Sequence, residues 1–221
     1  MVLSSRRPSE EDLKEFLSRR QMTRTQERWN ALTMLPFAVY TLWFVWTEEY
    51  QLHGSWSEPP HTVLAIMLGA VVHVPYSFLY HWTYAHSFSC GLQRMKHWSR
   101  RMDHAMIHVA SALFALGTSG RWDYFALNAI WNFDCAMKHW ETEIHPWRNQ
   151  VRILISVFLY TLPMLYRATW QLWLQAWGIV FISFTFFGLY PIGGWSHSAF
   201  HILFTFLAPT LLQAALLAST L

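Results

Sequence analysis

Charge is scarce in this chain. Asp, Glu, Lys and Arg make up 13% of its 221 residues, about half the share of an ordinary soluble domain, whereas 53% are hydrophobic. That shortage excludes a conventional water-exposed domain of this size. Cysteine is almost missing as well: Cys90 and Cys135 are the only two, neither belongs to a C-x-x-C pair, and no disulfide framework can be built from them. The first 28 residues are charged and carry no apolar core of a secretory signal, so no cleavage is expected there.

What the chain does have is apolar residues in blocks of about membrane-spanning length. Seven such segments can be placed, roughly 31–46, 62–82, 102–119, 124–139, 151–166, 172–190 and 196–218. The expected fold is all-α, an integral membrane bundle of seven transmembrane helices over 31–221, preceded by a cytosolic segment, 1–30. Mean hydropathy is only +0.16 because that polar start and the charged loops lower the average. Residues 10–28 alternate acids and bases, with Leu13, Phe16 and Leu17 on one side, and read as an amphipathic helix at the membrane surface. The fourth segment contains Asn128, Asn132, Asp134 and Lys138, which are expected to face inward, with Asp134 and Lys138 spaced to pair. Pro36, Pro75, Pro163 and Pro209 interrupt segments one, two, five and seven, and a kink at Pro75 would aim Ser77 and His81 inward. Tryptophans such as Trp43, Trp46, Trp122, Trp147 and Trp170 gather near segment ends, where indoles favour the membrane interface.

Orientation follows from the positive charges. With the N-terminus in the cytoplasm, the inner segments hold Arg6, Arg7, Lys14, Arg19, Arg20, Arg24, Arg28, Arg94, Lys96, Arg100, Arg101, Lys138, Arg148 and Arg152. Of the 16 Lys and Arg, only Arg121 and Arg167 then lie outside. The positive-inside rule therefore predicts N-terminus in and C-terminus out. In that orientation segment two ends on the cytosolic side with Ser77 and His81, segment three starts there with Asp103, and segment seven starts there with His197 and His201.

Those five residues form the candidate site. Residues at i and i+4 share a helix face, so His197 and His201 can point at one ion, and Ser77 lies on the side of His81. Three histidines with an open fourth position are the donor set of a catalytic zinc, which lowers the pKa of its bound water to about 7. Asp103 would hold that water or take its proton, and Ser77 would hydrogen-bond the water, a ligand or a polarised carbonyl oxygen. The metal ligands are thus expected to be His81, His197 and His201, and the catalytic residues Asp103 and Ser77. His104 and His108 are also spaced by four, but His104 lies about 100° around the helix from Asp103, so packing or supporting roles are expected for them. His86 falls just past segment two, at the rim of the site or among headgroups, and His53, His61 and His145 fall in loops.

As a set, Ser-x3-His, Asp and His-x3-His at these segment ends resemble the signature of a seven-helix superfamily. It includes the progestin and adipoQ receptors, the hemolysin III proteins and the alkaline ceramidases. Ser77-Phe78-Leu79-Tyr80-His81, followed by His86-Ser87, looks like the receptor branch, and Asp103-His104-Ala105-Met106-Ile107 looks like the aspartate motif of hemolysin III. The resemblance spans the chain in segment number and motif order, with about twenty residues matching in detail. It implies a zinc held by His81, His197 and His201, with Asp103 on the zinc-bound water and Ser77 close by.

The expected function is a zinc-dependent hydrolase of a lipid amide or ester, ceramidase-like, in which zinc-bound water attacks the carbonyl. The alternative is a lipid- or hormone-sensing receptor whose zinc is structural. A di-iron desaturase or hydroxylase is disfavoured, because none of the 12 histidines is adjacent to another. The expected partners are membrane lipids and the substrate. Nucleic acid is not expected despite the net charge of +3, since the basic residues spread over three cytosolic segments that suit anionic headgroups. The plasma membrane or an endomembrane is the expected location.

Overall fold

The computed structural model describes residues 10–18, 20–52, 59–87, 92–141, 145–167 and 169–220. Arg6, Arg7, Arg19, His53 and Cys90 lie outside the described residues, as do the side chains of Leu13 and Phe16. The described chain is helical, with no strand among the described residues. Its order is α1 (Glu10–Ser18), α2 (Arg24–Leu52), α3 (His61–Leu79, continued by a π turn at Tyr80–Tyr84) and α4 (Leu92–Lys96). Then come α5 (Trp98–Ser119), α6 (Trp122–Lys138), α7 (Pro146–Tyr166), α8 (Trp170–Leu189), α9 (Ser196–Thr205) and α10 (Leu207–Ser219). Three stretches, His61–Tyr84, Trp170–Leu189 and Gly193–Ser219, are long and apolar enough to cross a membrane. The exterior agrees with a membrane protein, for Val39, Trp46, Leu127, Ile130, Phe133, Phe181 and Leu189 are all exposed.

Helix α5 is the axis of the bundle, packed against α3, α6, α7 and α10. Small residues allow this. Ala105, Ala110, Ser111, Ala112, Ala115 and Gly117 are buried along it, so neighbouring backbones come close. A Cβ on Gly117 would overlap the Ile66 side chain and lie 2.9 Å from the Thr62 carbonyl oxygen. The core around these contacts includes Ile66, Phe114, Tyr160, Leu207 and Leu211.

The ends of α5 are fixed by different chemistry. At its start the His97 ring accepts from the Ser99 N–H at 3.4 Å, satisfying one of the orphan donors of the first turn. At its finish Gly120 takes φ 65° and returns its N–H to the Leu116 carbonyl, while Arg167 donates to the carbonyls of Thr118 and Ser119.

Proline acts differently in different helices. Pro36 and Pro163 sit inside α2 and α7 without ending them, whereas α9 and α10 part at Phe206, three residues before Pro209. Pro209 has no N–H to continue the ladder, so the α9–α10 stretch breaks there.

Helix α6 departs from expectation at its charged residues. Asn128, Asn132 and Cys135 are buried, but Asp134 is exposed and Lys138 pairs with Glu141 at 2.9 Å. The buried stripe runs through 128, 132 and 135, which puts residue 134 on another side of the helix. Both charges lie in the last turns, where a long side chain can reach polar surroundings.

Candidate metal centre

The π turn at the end of α3 sets the position of His81. The Ala85 N–H reaches back five residues to the Tyr80 carbonyl at 2.8 Å, so the helix widens where His81 and Tyr80 turn into the bundle. Such widened turns frequently mark functional sites. From the other side, Gly193–Trp195 forms a tight turn into α9, and the Ser196 hydroxyl accepts from the Ile192 N–H at 3.0 Å. That entrance fixes the first turns of α9, which carry His197 and His201.

The three histidines converge. Each can offer a ring nitrogen such that all three lie within 4.8 Å of one another. Their ring centroids are 5.0 Å apart for His81 and His197, 5.8 Å for His81 and His201, and 4.5 Å for His197 and His201. His81 and His201 are buried and His197 is partly buried. The arrangement can hold a metal ion.

The outward-facing nitrogens support that reading. His81 Nδ1 lies 2.7 Å from Glu27 Oε2, and His201 Nδ1 lies 3.0 Å from the Asn30 carbonyl and 3.2 Å from Thr33 Oγ1. His197 Nδ1 lies 3.4 Å from the Tyr190 hydroxyl. A carboxylate and a carbonyl only accept, so Nδ1 of His81 and of His201 is the donor, which leaves Nε2 as the nitrogen a metal would take. Metal-binding histidines are oriented in this way, by a carboxylate or carbonyl on the far nitrogen.

A buried polar frame stands behind them. Glu27 and Asn30 are both 0% exposed, although they belong to the first turns of α2. Glu27 also pairs with Arg94 from α4, and Arg94 Nε donates to the Tyr80 hydroxyl at 2.8 Å. Burial pushes the Glu27 carboxyl up, but the hydrogen bonds from His81 and Asn30 and the charge of Arg94 outweigh it and hold the group below 4.5. Asn30 Nδ2 donates to Glu27 at 3.2 Å and its Oδ1 accepts from Ser198 at 2.6 Å. Tyr190 takes φ 53°, a left-handed conformation that costs a non-glycine residue of order 1–3 kcal/mol, at the end of α8 beside His197.

Asp103 and Ser77 are both buried and line the same cavity as the three histidines. Asp103 Oδ1 lies 3.3 Å from His73 Nε2. His73 precedes Ser77 by four residues, the spacing that singles out Ser77 and His81, so all three fall on one stripe of α3. Glu27, Asn30 and Arg94 left no such pattern. They sit among polar segments, and only the folded chain brings them under His81.

Two cavities meet at the centre and share His81, Asp103 and His197. One runs into the bundle past Phe37, Phe114, Val157 and Phe204, with about 970 Å³ of empty space counting its open mouth. The other is a polar vestibule beneath Leu17 of α1, bounded by Arg20, Arg94 and Arg100.

The other histidines take different places. His108 Nδ1 lies 3.1 Å from Asn132 Oδ1 and 3.3 Å from the Ser156 hydroxyl, tying α5 to α6 and α7. His104 lines both cavities, and its ring lies 5.3 Å from that of His139. His61 stacks on Trp122, and His86 is half-buried past the π turn.

Comparison with protein-family models returns no match, and neither does comparison with curated proteins.

Proposed function

We propose that the protein is a membrane-embedded, zinc-dependent hydrolase of a lipid amide or ester. The observation that carries this reading is the position of the histidine centre, with Asp103, where an apolar cavity meets a polar vestibule. In the same reading the bundle crosses the membrane seven times with its N-terminus in the cytosol, and the chain belongs with the progestin and adipoQ receptors, hemolysin III proteins and alkaline ceramidases that its motifs resemble.

His81, His197 and His201 would hold the ion. Zinc supplies Lewis acidity at a carbonyl oxygen and a water acidic enough to ionise near neutral pH. The chain's own residues do the rest. The apolar cavity takes an acyl chain and excludes water from it, and the vestibule admits water and the headgroup. Asp103, steadied by His73, accepts the proton that water loses as it adds to the carbonyl carbon. It then returns that proton to the leaving amine or alcohol as the C–N or C–O bond breaks. Ser77 is placed to donate to the carbonyl oxygen as negative charge develops on it.

The test joins metal analysis to turnover. Purified protein should contain one zinc per chain and hydrolyse at least one member of a panel of lipid amides and esters. Asp103→Asn should keep the zinc and lose turnover by about 100-fold or more, as expected when the proton acceptor is removed. Zinc-loaded protein inactive on the whole panel refutes the hydrolase, and an Asp103→Asn protein with wild-type turnover refutes the role of Asp103.

A further inference from the structure

The vestibule is a basic chamber. Arg20, Arg94 and Arg100 line it, and Asp103 is the acid on its wall. Among the described residues, three guanidiniums line the chamber against one carboxylate, Asp103, and Glu27 pairs with Arg94 behind it. The apolar cavity on the other side has no Lys or Arg among its lining residues.

Two of the guanidiniums are also held in place. Arg20 lies over the Tyr190 ring at 5.0 Å and donates to the Gly188 carbonyl at 3.4 Å. Arg94 is fixed by Tyr80 and Glu27. Arg100 stands in the first turn of α5, three residues ahead of Asp103. A planar guanidinium offers paired N–H groups that match phosphate oxygens, and pre-set donors lose less freedom on binding than mobile ones.

We propose that this vestibule binds the phosphate-bearing headgroup of an anionic lipid whose chain lies in the apolar cavity, which makes an anionic lipid the substrate class. The inference rests on the hydrolase reading for the word substrate, but the binding itself does not depend on turnover. An amphiphile that fills both cavities must pass His81, Asp103 and His197, which belong to both, so the linkage between headgroup and chain falls at the metal centre. A free phosphate ion would use the same arginines but leave the apolar cavity unfilled.

Binding by the full-length protein, in nonionic detergent, separates these possibilities with three probes: hexadecyl phosphate, hexadecanol and inorganic phosphate. Calorimetry should show hexadecyl phosphate binding about tenfold or more tightly than hexadecanol, as charge-assisted hydrogen bonds predict. Inorganic phosphate should bind more weakly than hexadecyl phosphate. Arg20→Gln and Arg100→Gln should each reduce the preference for phosphate over alcohol, and Arg100→Lys should recover part of it. The two glutamine variants lie on different elements, so a folding failure in one leaves the other to decide.

The same preference should persist in protein stripped of zinc by a chelator. That arm keeps the inference separate from the zinc hydrolase, which can fail on its own. Equal affinity for hexadecanol overturns the proposal, as does a preference that disappears with the zinc or is untouched in both glutamine variants. Inorganic phosphate binding as tightly as hexadecyl phosphate assigns the chamber to a soluble anion instead of a lipid.

Discussion

Asn30 commits both ends of its side chain and its carbonyl oxygen to the histidine centre, through Glu27, Ser198 and His201. Glu27 in turn holds His81. Replacing it by glutamine preserves the shape but removes the charge that makes the imidazole more basic, and leaves Arg94 without its counter-ion. Glu27→Gln should weaken zinc binding by about 10- to 100-fold, measured by competition with a chromophoric chelator. An affinity equal to wild type would mean that the carboxylate does not tune His81. The same residue predicts an acid limb. Its pKa in the fold is below 4.5, so its stabilising contribution is complete above that pH and is lost as the pH falls through the depressed value. Without zinc, the melting temperature of wild type should fall more steeply below pH 4.5 than that of Glu27→Gln. Parallel curves would rule out this linkage.

Between elements, the approach of α3 to α5 depends on Gly117. Gly117→Leu inserts four carbons against Ile66 and the Thr62 carbonyl, and overpacking of this kind costs about 1–3 kcal/mol. Its melting point should drop, and the drop should shrink when Ile66→Ala is added to make room. A drop that ignores Ile66 would place the strain elsewhere. Helix existence was legible in the sequence because apolar blocks and their turn residues are local signals. Ser77 with His81 and His197 with His201 were legible for the same reason, since spacing by four is a property of one helix, whereas Asp103 was read from its place at a segment end. His73 shared that spacing and went unread beside Ser77. Glu27, Asn30 and Arg94 are different, because their role arises from contacts across 54 to 171 positions of chain, for which no local pattern exists. The inward placing expected of Asp134 and Lys138 failed by phase, the buried side of α6 being set by Asn128, Asn132 and Cys135.

For the molecule as a whole, the seven-span reading makes a prediction that does not involve the site. With Cys90 and Cys135 replaced by serine, a cysteine at exposed Arg121 should react with an impermeant maleimide added to intact cells. A cysteine at exposed Arg148 should react only after permeabilisation. The reverse pattern would invert the bundle and put the vestibule on the outer face.

The centre is built from the first long helix and from one of the last. Glu27 and Asn30 leave the ribosome well before His197 and His201, so a nascent chain that has not reached α9 contains only one half of the frame. Until α9 is made, Asn30 lacks Ser198 and His201, and His81 waits beside Glu27 with no fellow ligand. A chain stalled before α9 therefore cannot assemble the three-histidine centre.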